Sequence, residues 1–210
     1  MRVVTCAQMK QYEKNADANG LSYLQMMENA GVGAAKYMLL HVCPQTAVVF
    51  AGSGNNGGDG LVVARSLCDA GVRVVTVLVN GLPKTPDAVT NFERLKNKAV
   101  QIVTFDEAVR QDELCADLFV DAIYGTGFHG LLNDAAACCA KWMQKSGKPV
   151  VSLDIPSGVN ADSGAFDPRA VRADVTVCFD SYKPAHICPD CAHFVGDIVC
   201  IDIGILDAWR

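Results

Sequence analysis

The chain of 210 residues is half hydrophobic and one-fifth charged, which supplies a substantial buried core and lies outside the range of disordered polypeptides. Its formal net charge of -5 argues against nucleic-acid binding, which draws on clustered Lys and Arg to displace counterions from phosphate. Neither the polar N-terminus, MRVVTCAQMKQYEKN, nor any later run has the apolar length of a secretory or membrane-spanning segment. The expectation is therefore one soluble domain over 1–210, with a small-molecule partner and no membrane. A cytoplasmic location is expected, and a transit peptide already removed would leave no trace. The ten cysteines are irregularly spaced and read as small, reduced, apolar residues.

Two helices are expected over residues 5 to about 41. The second carries Met26, Met27, Ala30, Val32, Ala35 and Leu39 near one face, a stripe suited to the core or to a second copy of the chain, and the pair offers a homodimer surface. Strands are expected at 46–52, 72–80, 99–105, 116–124, 148–155, 174–180 and 196–204, with helices at about 58–71, 86–97, 106–113 and 131–146. Several of the strand segments are apolar at consecutive positions, so both of their faces are covered. The fold class is α/β: a Rossmann-like three-layer α/β/α sandwich with a mostly parallel central sheet.

In open α/β sheets ligands bind beyond the carboxyl ends of the strands. Four such ends are polar or glycine-rich: GSGNNGGDG (52–60), DAIYGTGFHG (121–130), LDIPSGVNADSG (153–164) and FDSYKPAH (179–186). A surface loop explains one of them easily and four together poorly. The first has the turn glycines and helix start that suit a phosphate. It lacks the Gly-Lys-Ser/Thr of a P-loop, and although GSGNNG matches G-x-G-x-x-G by letter, no acidic residue closes VRVVTVLVN to take a ribose hydroxyl. Asp59 is then either a first-turn charge or part of a site. Asp121 ends its strand as a loop cap or a ligand. Asp154, also at a strand end and directed by Pro156, is the strongest acid–base candidate.

Asn56, Asp121 and Ser157 supply oxygen donors only, with one carboxylate, a set suited to a monovalent cation rather than calcium. CPDC (188–191), with His193 and Cys200, admits a zinc half-site, a redox pair or a plain loop; without a second C-x-x-C or His pair the loop is preferred. Cys178 is the one cysteine at the polar strand ends and is expected to be buried, so Cys–His catalysis is unsupported. His129 and His186 are substrate contacts, supports, or ordinary surface and capping residues.

Taken in order, GSGNNGGDG, VDAIYGTGFHG (120–130), SLDIPSGVNADSG (152–164) and FDSYKPAH, with QMMENAG (25–31) and VCIDIGI (199–205), resemble the YjeF N-terminal domain family, the NAD(P)H-hydrate epimerases. The likeness covers nearly the whole chain. It implies a Rossmann-like fold and interconversion of the R and S forms of NAD(P)HX, the cofactor hydrated at C6 of its nicotinamide ring. By the same resemblance Asn55, Asn56, Gly57, Gly58 and Asp59 contact substrate, as do Gly125, Thr126, Gly127, Phe128, His129, Gly130 and Leu131. Asp154 is the catalytic carboxylate and also contacts substrate, and Asn56, Asp121 and Ser157 contribute to one potassium site per subunit. Lys183 stands in the family's K-P motif with its role open.

The loop 187–197 is richer in cysteine than the family's usual proline-glycine stretch. The chain stops just after its last strand, so dehydration is expected to need either a separate NAD(P)HX dehydratase as pathway partner or a further part of the natural protein. Asp154 is expected to shuttle the hydroxyl proton while the ring nitrogen stabilises an iminium-like intermediate. The rivals are a non-catalytic nucleotide-binding or scaffold module of the same fold, and a redox or zinc protein centred on Cys188 and Cys191.

Overall fold

The computed structural model describes residues 2–110 and 114–210. Two helices lead, α1 (Cys6–Ala18) and α2 (Tyr23–His41). Thr5 and Gln8 close a reciprocal capping box at the start of α1, and the Ser22 hydroxyl accepts the Gln25 N–H at the start of α2. There follow β1 (Thr46–Ala51), α3 (Asn55–Asp69), β2 (Arg73–Leu78), α4 (Pro86–Lys96), β3 (Gln101–Thr104), α5 (Phe105–Arg110), β4 (Leu118–Ala122), α6 (Asp134–Ser146), β5 (Val150–Leu153), β6 (Val175–Phe179), α7 (Ala192–Val195) and β7 (Asp197–Ile201).

All seven expected strands are present. They form one sheet in the order β3-β2-β1-β4-β5-β6-β7, parallel at every pairing. β1 explains why the segments read as continuous apolar runs: Ala47, Val49 and Ala51 enter the core under α1 to α4, whereas Val48 and Phe50 enter the core under α5 and α6. Met26, Met27, Ala30 and Ala35 of the methionine stripe are buried, while Val32 stays exposed. Among the described residues no helix is long and apolar enough to cross a membrane.

Helix boundaries differ from expectation where side-chain chemistry decides them. α3 begins at Asn55 rather than near residue 58, so NNGGD is the first turn of a helix and not a loop. Its glycines serve close approach: a Cβ on Gly57 would run into the Gly52 carbonyl, and one on Gly60 would lie 2.5 Å from the Ala122 Cβ of β4. α6 begins at Asp134, three residues later than expected, because the Asn133 side chain caps the Ala136 N–H at 2.8 Å. Residues 111–113 of the helix expected at 106–113 lie outside the described residues. Short 3₁₀ turns at Pro184–Ile187 and Pro189–Cys191, together with α7, were not expected.

The chain order reverses between β1 and β4, the switch point at which open sheets of this kind leave a crevice. α1 roofs that crevice. Its start is tied down by the Val3–Tyr182 bridge, by Val4 N–H donating to the Tyr182 carbonyl at 2.8 Å, and by Cys6 N–H donating to Asp162 Oδ1 at 2.8 Å.

Candidate active site

The crevice is a cleft of about 480 Å³. Its walls are the α1 face (Cys6, Met9, Lys10, Glu13), the start of α3 (Asn55, Asn56, Asp59) and the loop after β4 (Ile123 to Phe128). Asp154, Phe179 and Lys183 also line it. A small adjoining cavity of about 80 Å³ shares Glu13, Asn55, Asp59 and Phe179.

Asp154 follows β5 in a three-residue turn, with φ +63° and Ile155 N–H donating to the Leu153 carbonyl at 2.8 Å. A non-glycine residue in this region is strained and persists only where its surroundings over-determine it. Here they do. Asp154 N–H donates to the Val177 carbonyl at 2.8 Å, and His186 Nε2 lies 2.8 Å from the Asp154 carbonyl. Because His186 Nδ1 accepts the Lys183 N–H at 2.9 Å, Nε2 carries the proton and donates. Burial pushes His186 down to about 4, which keeps the ring neutral in this role.

The Asp154 side chain is equally fixed. Its Oδ2 accepts the Thr126 N–H at 2.9 Å, and its Oδ1 pairs with Lys183 Nζ at 3.0 Å. Burial alone would raise the carboxyl, but Lys183 and the Thr126 N–H outweigh it and hold Asp154 below the usual carboxylate range. The group is therefore a carboxylate at neutral pH. Lys183 Nζ also donates to the Phe179 and Ser181 carbonyls, both at 3.1 Å, and those residues flank Asp180, which sits at φ +61° in a second turn of the same kind. Lys183 thus locks the ends of β5 and β6 together while also lining the cleft.

Asp121 is fully buried and takes part in none of the ion pairs among the described residues. It accepts from Ser152 Oγ (2.9 Å), Ser157 N–H (2.8 Å), Ser157 Oγ (2.6 Å) and Ile123 N–H (3.3 Å). Burial raises its carboxyl, and these hydrogen bonds only partly oppose that. Ser157 Oγ in turn accepts the Tyr124 N–H at 2.9 Å. The next residue, Gly125, has the Asn56 Cγ 3.2 Å from where its Cβ would be. Both amide atoms of Asn56 are buried without a hydrogen-bond partner. A buried carboxylate lacking a counter-charge at the end of β4, and an unsatisfied amide just beyond the paired end of β1, are what a bound cation would relieve, so the oxygen set of Asn56, Asp121 and Ser157 fits a hard cation.

Of the expected substrate contacts, Asn55, Asn56, Asp59, Gly125, Thr126, Gly127, Phe128 and Asp154 line the cleft. Gly57 and Gly58 are buried behind it, Gly58 against Met27 and Ala88. His129, Gly130 and Leu131 lie outside its lining; His129 Nδ1 meets the Asn160 amide at 2.9 Å, and Leu131 is 70% exposed. Glu13 and Lys10 were missed. The spacing 6, 9, 10, 13 is one helical face, and two charged residues on a face that otherwise holds Cys6 and a buried Met9 were the available signal.

The cysteine loop has other work. Cys191 Sγ donates to the Gly164 carbonyl at 3.2 Å, and the His193 ring packs tilted against Phe194 with centroids 3.9 Å apart. Among the described residues no group of three or more His, Cys, Asp or Glu is arranged to hold a metal ion.

Fold and site together define a Rossmann-like α/β domain with a carboxylate-centred cleft at its switch point. The chain belongs to the family described as YjeF-related protein N-terminus, whose model matches residues 23–185. It is similar to proteins named NAD(P)H-hydrate epimerase from Limosilactobacillus fermentum (34% identical, covering 96% of each chain) and Pirellula staleyi (34% identical, 89% of this chain and 85% of the relative). It is also 35% identical to the bifunctional NAD(P)H-hydrate repair enzyme Nnr of Pyrobaculum aerophilum over 98% of its own length, but spans only 42% of that relative. The crystal structure of yeast ynu0, YNL200c, superposes with a TM-score of 0.78 at 26% identity, over 89% of this chain and 83% of the yeast chain.

Proposed function

We propose that this protein interconverts the R and S forms of NAD(P)HX at nicotinamide C6, acting as an isomerase in nicotinamide-nucleotide repair. The observation that carries the reading is Asp154, held ionised in a strained turn on the cleft wall in a chain whose near-full-length relatives are named NAD(P)H-hydrate epimerase. Epimerisation breaks the C6–O bond and remakes it on the other face. As the hydroxyl leaves as water, the lone pair of the ring nitrogen forms a C6–N double bond; a new water adds to planar C6 and gives up a proton. Asp154, as a carboxylate, accepts that proton. The N-terminal turn of α3 lacks a side-chain cap, and its N–H groups suit the phosphates of the dinucleotide.

Potassium is the cation this reading places with Asn56, Asp121 and Ser157. Asn56, Asp121 and Ser157, which follow or end β1, β4 and β5, would hold it, and it would supply a fixed positive charge opposite the Asp121 carboxylate. The reading further includes a homodimer built on α1 and α2, a cytoplasmic location and a separate NAD(P)HX dehydratase downstream. A non-catalytic module of this fold has no need of an ionised carboxylate held against backbone strain. Chromatographic separation of the epimers tests the assignment: Asp154→Asn should lose at least about 100-fold in interconversion rate, and an unchanged rate removes Asp154 from the mechanism.

A further inference from the structure

Resting on the epimerase reading, the chemistry needs a second group. The departing hydroxyl must receive a proton, and Asp154, committed to its carboxylate form by Lys183 and the Thr126 N–H, has none to give. Lys183 is engaged by three acceptors and holds its proton more tightly than a free lysine, because the nearby Asp154 outweighs the effect of burial. His186 spends both ring nitrogens on backbone groups. Burial pushes the Cys6 thiol up to about 12, too weak an acid for the task.

We infer that Glu13 is the second acid–base residue of the cleft, delivering the proton to the C6 hydroxyl from the α1 wall while Asp154 works from the end of β5. Glu13 is the one carboxyl of α1 that reaches the site, and it lines both the main cleft and the adjoining cavity. No hydrogen bond or ion pair holds it among the described residues, so it is free to meet a ligand. The α1 roof that carries it is pinned at Cys6 and Tyr182, on the same loops that carry Asp162 and Lys183.

The groups facing Glu13 are Lys10 on its own helix, Tyr23 on α2, Asp59 on α3, Asp154 beyond β5, and Asp180 and Lys183 beyond β6. Burial and the charge of Asp154 raise Glu13 to about 7, against the pull of Lys183 and Lys10. Two carboxyls pushed apart in this way are the usual arrangement for an acid and a base in one site. Asp59, on the α3 wall, is also raised, by burial first and then by Asp154 and Glu13, and it is the competing donor that the Asp59→Asn arm of the test separates from Glu13.

The step balances. Protonated Glu13 gives its proton to the C6 hydroxyl, the C–O bond breaks with its electron pair leaving in water, and the ring nitrogen's pair fills the vacancy at C6. Water adds on the opposite face, its proton passes to Asp154, and its oxygen pair forms the new C–O bond. Glu13 ends as carboxylate and Asp154 as acid; proton exchange through solvent resets them for the next turnover in this direction, and the reverse epimerisation starts from the product state, in which Asp154 carries the proton and Glu13 is ionised.

The test compares the wild type with Glu13→Gln, Glu13→Asp and Asp59→Asn for kcat and KM across pH 5.5 to 9, together with a carboxyl-carbon NMR titration of Glu13 in the wild type. Glu13→Gln should lower kcat by about 100-fold or more with KM within threefold, and should abolish the alkaline limb near pH 7. Glu13→Asp should restore part of the rate, and the NMR midpoint of Glu13 should lie near 7. A Glu13→Gln enzyme within threefold of wild type at every pH, or a Glu13 midpoint near 4, overturns the inference; so does loss of the limb in Asp59→Asn but not in Glu13→Gln. If Glu13→Gln fails to fold, the NMR midpoint decides alone. Wild-type protein that leaves the epimers at their uncatalysed rate defeats the epimerase reading and this inference with it, a result distinct from failure of Glu13 alone.

Discussion

Replacing Lys183 with Met removes the charge opposite Asp154 while keeping most of the side-chain volume. At 3.0 Å and an effective dielectric of about 20, the pair's Coulomb energy is roughly 5.5 kcal/mol. Lys183 is 2% and Asp154 13% exposed at the side chain, so solvent cannot replace the lost partner. Orphaning one member of such a pair costs about 3–5 kcal/mol. The sign with pH follows. In the wild type the folded-state value of Asp154 is depressed, so its contribution is present above the unfolded value near 4 and lost as pH falls through the folded one. Without Lys183 burial acts unopposed by that charge and the folded value rises, so the variant should lose stability as pH climbs above 4. Urea denaturation should therefore give a deficit of about 3–5 kcal/mol at pH 8 that shrinks at pH 5. Adding Asp154→Asn should recover most of it, as expected for two residues in direct contact. A deficit below about 1 kcal/mol at both pH values, or additive losses in the double variant, refutes the argument.

Burial of His186 predicts a second pH effect: its depressed value, about 4, means stability is lost as pH falls from about 6.5 to 4, by at most about 3 kcal/mol, and His186→Gln should flatten that part of the urea-denaturation profile. Asn56→Ala should raise the potassium concentration for half-maximal activity at least tenfold, while chemical denaturation in sodium buffer shows a smaller change; equal potassium dependence removes Asn56 from the ligand set. Gly60→Ala should destabilise by about 1–3 kcal/mol, because its Cβ would meet Ala122, and the measured loss should be halved or better by Ala122→Gly.

The inner strands were legible because they are buried on both faces and so read as uninterrupted apolar runs, Ala47 to Ala51 being the clearest, whereas the edge strands β3 and β7 are only partly buried. The start of α3 was not. Asn55 to Gly58 has turn composition, and only the positions of Gly52, Ala122 and Met27 reveal that its glycines are there for close packing inside a helix. Asp154 could be singled out from its strand end and the proline after it, whereas its left-handed backbone and its partner Lys183 depend on the neighbouring β6 end, which no local pattern encodes. The grouping of Asp121, Ser157 and Asn56 likewise needs the β1–β4–β5 order. Glu13 stood in plain view on a helical face, but its unusual proton affinity arises from Asp154 and the surrounding walls, which are distant in sequence.

The central claim is that the cleft at the β1–β4 switch point epimerises NAD(P)HX with Asp154 as its base. Its most direct test follows purified R and S hydrates by chromatography with wild-type protein, in potassium and in potassium-free buffer, against the uncatalysed rate. Interconversion should run far above background in potassium and more slowly without it, and Asp154→Asn should show none above background in either buffer. Rates equal to background in both buffers, or full activity in the Asp154→Asn protein, contradict it.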